Sequence, residues 1–133
     1  MGYSPVGTFR PLFFIANNAV NVVTKLWGTE HWIVNNDKYC FKVLTIMPGF
    51  KCSLHYHKRK DETFIVYDGE ILLEQRDVRG YPIEEVLSAG QQRHIEAKTP
   101  HRFQARNGSA VILEISTHHD EADVVRIEES KKV

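Results

Sequence analysis

The sequence has no surplus of either charge. Lys plus Arg and Asp plus Glu each number 17, so the formal net charge is zero. No global basic field draws in a polyanion, and neither nucleic acid nor an anionic membrane is expected as a partner. Cysteine is scarce, with two residues in 133. Cys40 and Cys52 form no CxxC pair and no disulfide framework, and each lies in an apolar run. Both are therefore read as buried, reduced thiols. Long hydrophobic runs are missing too. The run Leu12 to Ala16 is too short for a signal core or a membrane span, and it stops at Asn17-Asn18. The expected location is the cytoplasm. Repeats, linkers and low-complexity tracts are absent, and the length is that of one domain able to enclose a modest core.

What is present is a strand-rich, turn-punctuated pattern. Short apolar runs such as Phe13–Ile15, Ala19–Val23, Phe41–Met47, Thr63–Tyr67 and Val111–Ile115 alternate with turn signals. These include Asn35-Asn36-Asp37, Pro48-Gly49, Arg79-Gly80-Tyr81-Pro82, Ala89-Gly90 and Asn107-Gly108. Such punctuation predicts an all-β sandwich or barrel. Asp68-Gly69, between Phe64–Tyr67 and Ile71–Leu73, predicts a hairpin turn. A helix is expected only in the tail, Asp120 to Lys132, with Asp120 as cap and Val124, Val125 and Ile127 facing the barrel.

The chemistry concentrates between Gly49 and Gly69. Side chains alternate along a strand, so Lys51, Ser53, His55 and His57 are expected on one face and Cys52, Leu54 and Tyr56 on the other. Two imidazoles two residues apart reach one ion. Glu62 follows across the charged turn Lys58-Arg59-Lys60-Asp61, and His101 supplies a fourth donor. That set suits one divalent Zn, Mn, Fe or Ni with positions left for water or substrate. The charged turn by itself reads as a solvated loop. His31, His94, His118 and His119 lack a strand-spaced carboxylate and read as structural or exposed, and Trp27 and Trp32 read as packing aromatics. Phe64 and Phe103 lie two residues beyond Glu62 and His101 and are expected in the cavity wall, as is Ser53. Glu114 points either to solvent or inward.

Gly49, His55, His57, Glu62 and Gly69 fill every defined position of a pattern that resembles the first cupin motif, G-x5-H-x-H-x4-E-x6-G. The second motif, G-x5-P-x-G-x2-H-x3-N, is met by Gly90 and His101, while Glu96, Lys98 and Ala105 replace its Pro, Gly and Asn. These departures alter turn chemistry and leave the ligand in place. The resemblance spans residues 27–117 and implies a jelly-roll cupin barrel at 27–119, with an N-terminal arm at 1–26 and a short helical tail at 120–133.

Thr24-Lys25-Leu26-Trp27-Gly28-Thr29-Glu30 further resembles the K-P-W-G-x-E entry of cupin phosphomannose isomerases, with Leu26 for Pro. Pro48 to His57 is similar to their P-G-x-x-x-S-L-x-x-H run, and cupin D-lyxose isomerases are similar in kind. The resemblance implies aldose–ketose isomerisation through an enediol, on a sugar or sugar phosphate. No Arg cluster marks a phosphate clamp, so an unphosphorylated sugar stays open. In this reading Glu62 is ligand and proton shuttle, Lys51 donates to the developing oxyanion, and Lys42 joins them by resemblance alone. The same ligand set also suits an Fe(II)-dependent oxygenase, and a non-catalytic sugar-binding cupin is the third reading. The apolar run Phe13-Phe14-Ile15 is expected to cover a sheet edge of a second copy, giving a homodimer.

Overall fold

The structure, a computed structural model, describes Leu12 and residues 15–133. The runs rich in Val, Ile, Thr and aromatics become strands, as their fit to a pleated, half-buried surface requires. They are β1 (Asn21–Lys25), β2 (Gly28–Asn35), β3 (Cys40–Ile46), β4 (Phe50–Lys51), β5 (Leu54–His57) and β6 (Glu62–Arg76). After these come β7 (Pro82–Ser88), β8 (Gln92–Ile95), β9 (His101–Ser116), β10 (Val124–Glu128) and β11 (Lys131–Lys132). The fold is all-β, with the sheet curled around a core that includes Trp27, Leu44, Phe64, Ile71, Phe103 and Ile112. Among the described residues no helix is long and apolar enough to cross a membrane.

Two long strands organise the barrel. The first half of β6 pairs with the second half of β9, from Glu62 opposite Ser116 to Asp68 opposite Val111. The second half of β6 pairs with the first half of β9, from Glu70 opposite Arg106 to Gln75 opposite His101. One layer continues through β3, β2 and β1, and β8 lies on β6. The other carries β7 on β6, with β5 and β4 on β9. β10 and β11 then lie along β5 and β4.

The expected hairpin at Asp68-Gly69 is not there: β6 runs straight through it. The register slips at that point, and opposite it β9 passes through Asn107 (φ 58°) and Gly108 (φ 122°). A bulge and a tight turn use the same residues, because both need backbone at positive φ. Gly69, at φ 75°, has room for no side chain, since a Cβ would overlap the Ser109 carbonyl oxygen. The burial rhythm changes phase across this bulge. Inward residues are Glu62, Phe64 and Val66 before it and Ile71 and Leu73 after it. In β9 they are His101, Phe103 and Ala105, then Ala110, Ile112, Glu114 and Ser116.

The tail corrects a second expectation. Asp120 does cap, accepting from the Ala122 N–H, but the helix is one 3-10 turn, Glu121–Asp123. The residues that follow are strands β10 and β11, because β5 and β4 offer free edges and a Val-Val pair suits a ladder. At the other end, Asn21–Lys25 of the arm is a strand of this chain's own sheet, paired with β2. Ile15 is helical, where a strand was expected, and Phe13 and Phe14 lie outside the described residues.

Candidate metal centre and its cavity

The strand alternation of β5 aims His55 and His57 into the barrel, and the pairing of His55 with His101 brings β9's imidazole alongside. One ligand atom each from His55, His57 and His101 lies within 4.8 Å of the others. Backbone carbonyls orient two of the rings. His101 donates from Nδ1 to the Thr99 carbonyl at 2.8 Å, and His55 Nδ1 sits 3.0 Å from the Ser53 carbonyl. Each ring thereby keeps Nε2 bare, the form a metal ligand needs.

Glu62 opens β6 beside them. Its Oε2 lies 3.0 Å from His57 Nε2 and its Oε1 3.5 Å from His101 Nε2. Both Glu62 Oε2 and His101 Nε2 are buried without a hydrogen-bond partner. Acceptors that face one another in a dry site call for a cation between them. The residues present therefore fit a divalent ion held by three imidazoles and a carboxylate. Electrostatics agree. Burial, then neighbouring His101 and His57, pushes His55 down to about 3, so it is neutral. Burial works against the charge of Glu62, yet the adjoining His101, His57 and Lys60 hold the carboxyl well below the ordinary range.

His55 and His57 open into a cavity of about 80 Å³, with His101 buried beside them. Its wall includes Lys42, Ser53, Phe64 and Phe103. Lys42 Nζ stands 4.1 Å over the Trp32 ring and 3.4 Å from Glu30 Oε1, which also accepts from Trp32 Nε1 at 2.9 Å. Lys51 is absent from this wall. The strand breaks at Cys52-Ser53, so alternation does not carry through from β4, and Phe50 packs on the core instead.

A further cation that reaches the site is Lys60, from the turn that reads as solvated. Its Nζ donates to Glu114 Oε2 at 2.6 Å and to His119 Nδ1 at 2.9 Å, and lies 3.9 Å from Glu62. His119 in turn contacts Glu121 through Nε2 at 2.9 Å. Lys60 and Glu114 are buried, so Glu114 points inward. Burial disfavours the charge on Lys60, but Glu114 and Glu62 outweigh it and raise its pKa. Burial likewise opposes Glu114, and Lys60 and then Lys42 bring it below the ordinary carboxylate range. Sequence spacing pointed to neither Lys60 nor His119. The only signal for Glu114 was its place between Leu113 and Ile115 on a strand.

The cupin domain model matches residues 42–116, more than half of the chain. This chain is a cupin. It is similar to the D-lyxose/D-mannose isomerase of Thermosediminibacter oceani, at 34% identity over 68% of this chain and 63% of the relative. It is also similar to the D-lyxose ketol-isomerase of a Thermofilum species, at 32% identity and the same coverage. The chain thus spans less than two thirds of the length of these curated relatives. Among solved structures, oxalate decarboxylase from Bacillus subtilis superposes with a TM-score of 0.74 at 19% identity, covering 86% of this chain and 31% of that one. The capsular polysaccharide assembling protein CapF from Staphylococcus aureus gives 0.72 at 20%, covering 81% and 31%. At these identities the structural likeness concerns the cupin fold alone.

Proposed function

We propose that this cupin is a metal-dependent aldose–ketose isomerase that acts on a small sugar through an enediol. The observation that carries the reading is one cavity holding both the imidazole–carboxylate cluster and a buried Lys60–Glu114 ion pair. Isomerisation needs a base that moves a proton between adjacent carbons and an acid for the developing oxyanion. A divalent ion (Zn, Mn, Fe or Ni) held by His55, His57, His101 and Glu62 supplies Lewis acidity to the adjacent sugar oxygens. Glu62 is engaged with His57 and His101, so the proton falls to Glu114, an ionised carboxylate facing the same space. Lys60 donates to the oxyanion, with His119 behind it. Trp27, Phe64 and Phe103 line the cavity and keep water from the enediol.

The pairing of three of the four Lys and Arg side chains in the cavity wall supports an uncharged sugar. Lys42 faces Glu30, Lys60 faces Glu114, and Arg126 faces Glu121 at 3.5 Å. D-lyxose and D-mannose, which the relatives are named for, are the first substrates to try. A cytoplasmic homodimer belongs to the same proposal, and the exposed Val20, Val22 and Leu26 around edge strand β1 support a second copy there. Light scattering tests the dimer.

The activity test is a panel of aldoses and ketoses followed by NMR in deuterated water. Metal-loaded protein is expected to place deuterium on C1 or C2 without oxygen, and dialysis against a chelator is expected to stop it. Turnover that consumes oxygen would overturn the reading in favour of an oxygenase. Sugar binding without exchange would leave a binding module.

A further inference from the structure

Lys60 sits in a run, Lys58 to Asp61, whose composition belongs in water, yet it is buried. What holds it there is the strap that follows β9. Asp123 is itself buried, and its carboxylate accepts from the backbone N–H of Arg59 through Oδ1 and of Lys60 through Oδ2, both at 2.9 Å. Its carbonyl accepts from the Lys58 N–H at 3.0 Å. Asp123 sits at the end of the 3-10 turn capped by Asp120, so its own position is set before β10 begins. On the far side, Thr117 Oγ1 accepts from the Asp61 N–H at 3.1 Å.

A charge-assisted carboxylate on two successive amides fixes the backbone direction at one residue, and with it the line along which Lys60 leaves the turn. We propose that Asp123 is a positioning residue for the chemistry: it holds the 58–60 turn so that the Lys60 ammonium reaches Glu114 and His119. The proposal rests on the acid role given to Lys60 above. The Asp123 carboxylate itself contacts no metal ligand: it meets only Arg59 and Lys60 of the turn.

The test is a double-mutant cycle of Asp123→Asn and Lys60→Gln on the metal-loaded protein. Asn presents an amide where one turn N–H needs an acceptor, while the fold keeps its volume. Metal content by mass spectrometry is expected to stay at the wild-type level. kcat is expected to fall about 100-fold with KM unchanged, and Asp123→Asn is expected to add nothing once Lys60 is Gln. The ¹⁵N shift of His119 Nδ1 reads the same coupling without turnover: each single variant moves it, and the double variant moves it no further. That readout decides the proposal even where no sugar reacts, whereas a wild type without exchange would sink only the isomerase reading. Loss of metal, additive effects on kcat, or an unmoved His119 resonance would overturn it. Asp123→Ser, which still accepts one amide, takes the place of the Asn variant where that does not fold.

Discussion

Replacing Lys60 by Met tests whether the cavity is as dry as its geometry implies. The variant keeps most of the length of the side chain and deletes its charge, leaving Glu114 buried. At 2.6 Å the pair attracts by about 6 kcal/mol at an effective dielectric constant of about 20. Desolvation of the two ions, several kcal/mol each, offsets that, so the intact pair adds little. A broken pair is different, because an uncompensated buried charge costs about 3–5 kcal/mol. Lys42 also lowers the Glu114 pKa, which places the expected loss at the lower end, about 3 kcal/mol. The pH dependence carries the sharper sign. In the native protein Glu114 is held below its ordinary 4.5 despite burial, so its contribution is present above pH 4.5 and fades as pH falls. Without Lys60, burial dominates and lifts Glu114 above 4.5. Stability is then fullest below pH 4.5 and is lost as pH rises through the new value. Urea denaturation at pH 5 and pH 8 is the assay. The gap between native protein and variant is expected to widen at pH 8, and adding Glu114→Leu is expected to recover most of it. A loss under about 1 kcal/mol that ignores pH would refute the reasoning, since that is how a solvated surface pair behaves.

Replacing His57 by Ala is expected to leave bound metal near zero by mass spectrometry, and full stoichiometry would place the site elsewhere. Cys52, whose thiol burial pushes up from 9.0 to about 12, is expected to resist thiol reagents at pH 8 until the protein unfolds. Its raised value contributes stability below pH 9 that is lost between pH 9 and 12, at most about 4 kcal/mol, and Cys52→Ala is expected to flatten that limb of the denaturation profile. Lys98 stands at φ 71°, where the second cupin motif has Gly. Left-handed strain of about 1–2 kcal/mol, less about 0.4–1 kcal/mol of added unfolded-state entropy, predicts that Lys98→Gly raises the melting temperature slightly. A lower melting temperature would show that the Lys98 side chain contributes more than its backbone costs.

The strands and most turns were legible because period-two burial and Gly, Asn and Pro punctuation are local signals. The His-x-His pair was legible for the same reason, since its geometry follows from one strand. Asp68-Gly69 misled because a bulge and a hairpin ask the same of the backbone, and only the partner strand decides between them. The tail misled because β10 is a strand only against β5. Lys51 failed through the strand break after it, which no residue preference announces. Lys60 was hidden deepest. Its burial depends on Asp123, far along the chain, so a charged run that looks solvated in isolation becomes part of the cavity floor.

The change of phase in the middle of β9 has a consequence for how this protein tolerates changes of length. His101 and Glu114 are an odd number of residues apart, so a strand with unbroken alternation would present them on opposite sides. Both point into the barrel because the irregular stretch 107–109 shifts the frame between them. Deleting one residue there would leave His101 where it is, turn Glu114 to solvent, and bring Ile115 in beside Lys60. Deleting two would keep the sidedness and merely shorten the loop. The bulge is thus a parity device, and the buried Lys60–Glu114 ion pair exists only in one of its two settings.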